Sequence, residues 1–129
     1  MGLLNKIFGG SSEPKEEKLL PWIMLNSLEQ LSNIPQRSKT KTQVIFKYST
    51  RCGVSSMVMN QFVSNYNFTE GEMELYYLDL LSYRDVSNEV GYKFQVIHAS
   101  PQLLVIKNGV VVAHASHGAI NRIDLEQYL

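Results

Sequence analysis

The sequence predicts an α/β protein in the order β-α-β-α-β-α-β-β-α, with a central mixed sheet flanked by helices. Three observations carry that prediction. Short runs of aliphatic and aromatic residues at positions 44–46, 73–80 and 103–106 read as strands. Between them, apolar residues recur at helical spacing, first as Val54, Met57, Val58 and Phe62, then as Val86, Val90 and Phe94. Asn108-Gly109 separates two strand-like runs and is the two-residue signal of a type I′ hairpin.

The bulk properties narrow the class. A chain of 129 residues with 44% apolar content is sized for one domain with a core. Twelve basic and twelve acidic residues balance, which argues against nucleic acid or an acidic membrane surface as partner. No apolar run approaches the roughly 18 residues of a membrane span. The single cysteine excludes an internal disulfide and fits a reducing compartment. Residues 1–18 have linker composition, with Gly9-Gly10-Ser11-Ser12 followed by a charged run. They are expected to form a flexible N-terminal tail, leaving 19–129 as the folded domain.

Taken in order, residues 21–25 are brief and apolar with Pro21 in front, as in a short edge strand. Ser27 and Gln30 form a capping-box pattern, and the helix they start should stop near Asn33, before Pro35. Positions 37–42 read as a polar loop before the strand over 44–46. A helix follows Cys52 to about Asn65, and 66–71 turn the chain into the strand at 73–80. Ser82 is expected to cap the next helix, with Asp85 in its first turn. Strand 103–106, the Asn108-Gly109 turn and strand 110–114 form the hairpin. Asn121 is expected to cap a last helix whose apolar face carries Ile123, Leu125 and Leu129.

The stretch Phe46-Lys47-Tyr48-Ser49-Thr50-Arg51-Cys52-Gly53-Val54-Ser55 holds the one cysteine where a strand turns into a helix. Unpaired amides and the positive dipole end of a helix favour a thiolate there. Cysteine pKa values at such sites fall from about 8.5 to between about 3.5 and 7.5. Arg51 adds a fixed positive charge. A lone cysteine is often only a small core hydrophobe, but Tyr48, Ser49, Thr50 and Arg51 are polar flanks unlike a core. Ser55 stands where a redox C-x-x-C carries its second cysteine; the commoner role of a serine there is a first-turn hydrogen bond to backbone. Met57 and Met59 read as core filling. His114 and His117 are three apart and fall on opposite faces if their strand continues, so a closed zinc site is not expected.

The element order is that of the thioredoxin fold, and four motifs resemble the monothiol bacilliredoxins, the YtxJ-like redox family of the bacillithiol system. They are Phe46-Lys47 running into Ser49-Thr50-Arg51-Cys52-Gly53-Val54-Ser55, then Arg84-Asp85-Val86-Ser87-Asn88, His98-Ala99-Ser100-Pro101-Gln102, and His114-Ala115-Ser116-His117. The resemblance runs from about Trp22 to the end. Gly53 departs from the proline that often follows the family's cysteine, and Ala113 and Gly118 replace tryptophan.

The resemblance implies a thiol–disulfide oxidoreductase that removes a low-molecular-weight thiol, bacillithiol, from client-protein mixed disulfides in a bacterial cytoplasm. Cys52 would be the nucleophile. Tyr48, Thr50, Arg51, Gly53, Ser55, Ser100 and Pro101 would face the thiol or the client. Bacillithiol would be a co-substrate, with no bound cofactor. Ser100–Pro101 stands at the fold's cis-proline position, where Ser100 backbone would pair with an incoming chain. Thioredoxins carry a buried acid six residues before the cysteine, and Phe46 occupies that position here. Activation is therefore expected from the helix end and Arg51. His98 is expected to make a structural hydrogen bond near the Pro101 loop or to aid proton transfer there. Two other classes remain open. Cys-Gly-Val-Ser is one residue from the Cys-Gly-Phe-Ser of monothiol glutaredoxins, which bind an iron–sulfur cluster with external glutathione. The chain could also be a non-catalytic thioredoxin-like binding module.

Overall fold

The computed structural model describes residues 19–50, 53–69 and 71–129. The tail expected over 1–18, and Arg51 and Cys52, lie outside the described residues. Strand β1 (Trp22–Met24) leads to helix α1 (Leu28–Arg37), β2 (Thr42–Tyr48), α2 (Gly53–Asn65), β3 (Met73–Asp79), α3 (Arg84–Phe94), β4 (Gln102–Lys107) and β5 (Val110–Ser116). The sheet order is β1-β3-β2-β4-β5. β1, β3 and β2 are parallel, and β4 and β5 run antiparallel. This is the thioredoxin-like arrangement that the element order predicts.

Period-two alternation along β2 divides the core between the faces of the sheet. Val44 and Phe46 pack with Val58, Met59 and Phe62 of α2, and Ile45 packs with Leu31 and Ile34 of α1 and Val86 and Val90 of α3. The hairpin turns on Asn108 and Gly109, with φ of 55° and 86°, the two positive values that a type I′ turn requires. One extra residue in β5, opposite Val105 and Ile106 of β4, makes a β-bulge.

Several local expectations are corrected. The capping box forms as read, since Gln30 N–H donates to Ser27 Oγ and Gln30 Oε1 accepts from Ser27 N–H. The helix it starts, however, runs through Pro35 to Arg37. Proline so near a helix end removes one bond, and two others compensate: Ser38 N–H donates to Ile34 O at 2.9 Å and Ser38 Oγ to Pro35 O. Ser82 does not cap α3. Its hydroxyl donates to Asp79 Oδ2, and Asp79 Oδ1 accepts from the amides of Leu81 and Ser82, so the serine belongs to a turn closing β3. Tyr83 is the N-cap and makes no side-chain cap bond.

The expected last helix is instead two 3₁₀ turns, His117–Arg122 and Leu125–Tyr128. The Asn121 amide donates across to Val58 O on α2 rather than capping its own segment, and Asp124 caps the second turn. The break at Ile123 brings both Ile120 and Leu125 into the α2-side core. Met57 is no core residue: it is 72% exposed, and Val54 is also exposed, while Val58, Met59 and Phe62 are buried.

Candidate active site

β2 ends at Tyr48, and α2 begins five residues later, at Gly53. The Cys52 position falls between them. Beside the end of β2, Lys47 is in register with Gln102, the first residue of β4, which directly follows Ser100-Pro101. The Ser100–Pro101 peptide bond is cis. Ser100 Oγ is buried and has no hydrogen-bond partner among the described residues. Pro101 O accepts from His117 N–H at 3.0 Å, which ties the start of β4 to the turn after β5.

The named side chains are placed as follows. Tyr48 closes β2 and is half-buried, not part of a solvated loop; its hydroxyl lies 3.3 Å from Ser56 Oγ of α2 and its ring 5.4 Å from that of Tyr77. Thr50 is exposed. Gly53 opens α2, and a side chain there would meet no atom of the described residues within 4 Å. Ser55 is fully buried, and its Oγ makes no hydrogen bond among the described residues. The first-turn backbone bond expected of it is not made to any described residue. Phe46, at the position of the thioredoxin acid, is fully buried with its ring 5.1 Å from Phe62 and 6.1 Å from Trp22. Its surroundings are aromatic, and it supplies no base.

The residue that sequence reasoning undervalued is Lys47. It shares a sheet face with Ile45 and is completely buried. Its Nζ lies 3.2 Å from His98 Nδ1, contributed by the segment that leads to Ser100. Burial holds the Lys47 ammonium down to about 8. Burial first, then the charges of Lys47 and Arg84, hold His98 below the usual imidazole range. An ammonium only donates, so His98 Nδ1 accepts and the ring proton sits on Nε2. The signal in the sequence was the alternation Val44-Ile45-Phe46-Lys47, which puts the lysine on the inward face that Ile45 occupies. Gln102 helps to hold the same segment: its Nε2 donates to Ile97 O at 2.9 Å, while its Oε1 is buried and unpartnered among the described residues.

His114 lies on β5, and His117 starts the following 3₁₀ turn with φ of 56°, so the strand does not continue through both. Among the described residues no group of three or more His, Cys, Asp or Glu side chains is placed to hold a metal ion. Among them, too, no helix is long and apolar enough to cross a membrane.

Comparison with known proteins adds the following. The family described as monothiol bacilliredoxin BrxC matches residues 23–125. A solved structure described as a suggested oxidoreductase with a thioredoxin fold is 32% identical, with a TM-score of 0.69, over 83% of this chain and 92% of that one. The thioredoxin of Malassezia sympodialis is 21% identical, with a TM-score of 0.62, over 84% of this chain and 91% of its own. A reduced thioredoxin pre-protein of Schistosoma mansoni is 18% identical, also at 0.62, over 84% and 98%. The last two share the fold.

Proposed function

Since the chain belongs to the monothiol bacilliredoxin family, we propose that it removes a low-molecular-weight thiol, bacillithiol, from protein mixed disulfides through Cys52. The observation that supports this reading is placement. The strand that precedes the Cys52 stretch in sequence ends beside Ser100-Pro101-Gln102, which supports a nucleophile and a client-pairing backbone at one end of the sheet.

The chemistry follows from one sulfur. The Cys52 thiolate attacks the sulfur of the small thiol. A new S–S bond forms, the bond to the client breaks, and the client sulfur leaves with the electron pair. With one cysteine in the chain, no internal thiol can resolve the product. A second small-thiol thiolate attacks the mixed disulfide on Cys52, releasing the small-thiol disulfide and restoring the enzyme. The start of α2 and the Arg51 charge favour the thiolate that both steps need. Tyr48, Thr50 and Ser100 would border the place where the thiol and client sit, while Ser55 is buried. The setting is the reducing cytoplasm of a bacterium.

The test is intact mass after incubation with bacillithiol disulfide or glutathione disulfide. An adduct is expected on the wild type, absent from Cys52→Ser and removed by excess small thiol. Folded wild-type protein that takes up neither thiol would end this reading.

A further inference from the structure

We propose that His98 protonates the client sulfur as it leaves, and that Lys47 resupplies the proton through the Nζ–Nδ1 hydrogen bond. This rests on the oxidoreductase reading above and assigns two residues within it.

Three features of the structure lead here. First, Lys47 is fully buried, and His98 Nδ1 is its one recorded side-chain partner among the described residues. A buried ammonium whose task is structural is ordinarily matched to a carboxylate, because desolvation of the charge is otherwise uncompensated. Second, the partner is oriented. Nδ1 faces the ammonium, so the Nε2–H edge is turned away from Lys47, on a residue that is itself exposed. Third, His98 lines an open cleft with Ala99, Gln102, His114 and Ser116, and it stands two residues before Ser100 in the chain.

Among the described residues, the charged and titratable groups around His98 are Lys47 of β2, Arg84 at the head of α3 and His114 of β5 on the same cleft, none of them a carboxylate. That setting lowers the affinity of His98 for a second proton, and Lys47 is the neighbour that can supply one. Its ammonium, held to about 8, lies close to the roughly 8.5 of an ordinary thiol, so transfer between them is nearly level.

The step balances. Cys52 sulfur bonds to the small-thiol sulfur as the small thiol–client S–S bond breaks. The client sulfur keeps the electron pair and takes the Nε2 proton. Nδ1 takes a proton from Lys47 Nζ. The client leaves as a thiol, His98 is left in its other tautomer and Lys47 as a neutral amine. Solvent then returns a proton to Nε2, and Nδ1 returns its own to Lys47. His98 is thus a catalytic residue, and Lys47 is a positioning and supplying residue that acts through it.

The test compares two mixed disulfides of the same small thiol. One releases a basic alkyl thiolate, whose departure a proton assists. The other releases a nitro-substituted aromatic thiol, which departs as a stable thiolate at neutral pH. The readout is the ratio of the two transfer rates to Cys52, alkyl over aromatic, so general losses in folding or access cancel. The ratio is expected to fall about tenfold or more in His98→Gln, in Lys47→Met and in Lys47→Arg, which keeps the charge but releases no proton. In wild type the ratio should also fall as pH rises through about 8, and in His98→Gln it should be flat. A ratio unchanged in all three variants would overturn the relay while leaving the oxidoreductase reading intact. Transfer from neither disulfide to folded wild type would overturn both.

Discussion

At the N-terminal end of β2, buried Gln43 accepts a hydrogen bond from Tyr76 Oη at 2.8 Å and donates to Lys41 O at 2.9 Å. Glu74, in register with Gln43, takes both Nε and Nη2 of Arg37. The bond from Arg37 holds the Glu74 carboxyl below its usual range, and that carboxylate in turn raises the guanidinium. Every partner is matched in charge. Four residues further along β2, Lys47 is just as buried, yet among the described residues it faces an imidazole and no carboxylate. Its proton is held loosely where that of Arg37 is held tightly. The first end of the strand spends its polar groups on stability. The second keeps an ionisable group near neutrality at the cost of stability, and it is the end from which Cys52 follows.

The largest expected effect probes the uncompensated end. Lys47→Met keeps the volume and removes the buried charge, so it should raise stability at pH 7 by about 1–3 kcal/mol, read by urea unfolding. The sign follows from linkage. The folded lysine binds its proton less tightly than the unfolded one, about 8 against 10.5. The wild-type deficit is therefore full below pH 8 and shrinks between pH 8 and 10.5, where only the unfolded chain still holds the proton. A variant that is less stable at pH 7 would mean that the lysine is structural and that the two ends do not differ.

Tyr76→Phe should cost about 1–2 kcal/mol, because it strips the donor from fully buried Gln43 Oε1. That loss should leave the alkyl-to-aromatic rate ratio where it was. A smaller loss, about 1 kcal/mol or less, is expected for Glu74→Gln, since the Arg37 side chain is 54% exposed and water can replace part of the pair. Here the folded carboxylate is the stronger acid, so the Glu74 contribution is full above the ordinary carboxylate range and fades as pH falls through its lowered value. Unfolding curves of wild type and Glu74→Gln should converge in acid. Divergence there would remove the charge-matching account of this end.

What the amino-acid sequence determined alone was set by forces acting over a few residues. Asn108-Gly109 specifies its turn because both positions tolerate positive φ. Ser27 and Gln30 specify a helix start because they satisfy each other's amides. Alternating apolar residues specify strands, and with them the thioredoxin-like order and the place of Cys52 between β2 and α2. Where local rules competed with burial, burial prevailed: α1 runs through Pro35 because Ile34 is anchored in the core, and the chain after Asn121 breaks into 3₁₀ turns because Ile120 and Leu125 both reach α2.

Only the tertiary structure decided that Met57 faces water, that Ser55 is buried, and that Lys47 is sealed against a histidine 51 positions away. The motif strings that carry Lys47 and His98 are plain in the sequence, but their contact is not. The reason is physical. The state of a buried charge depends on which groups the fold brings within hydrogen-bond distance and which it keeps away, and that exclusion of water and carboxylates is a property of the closed sheet and its helices rather than of any short stretch of chain.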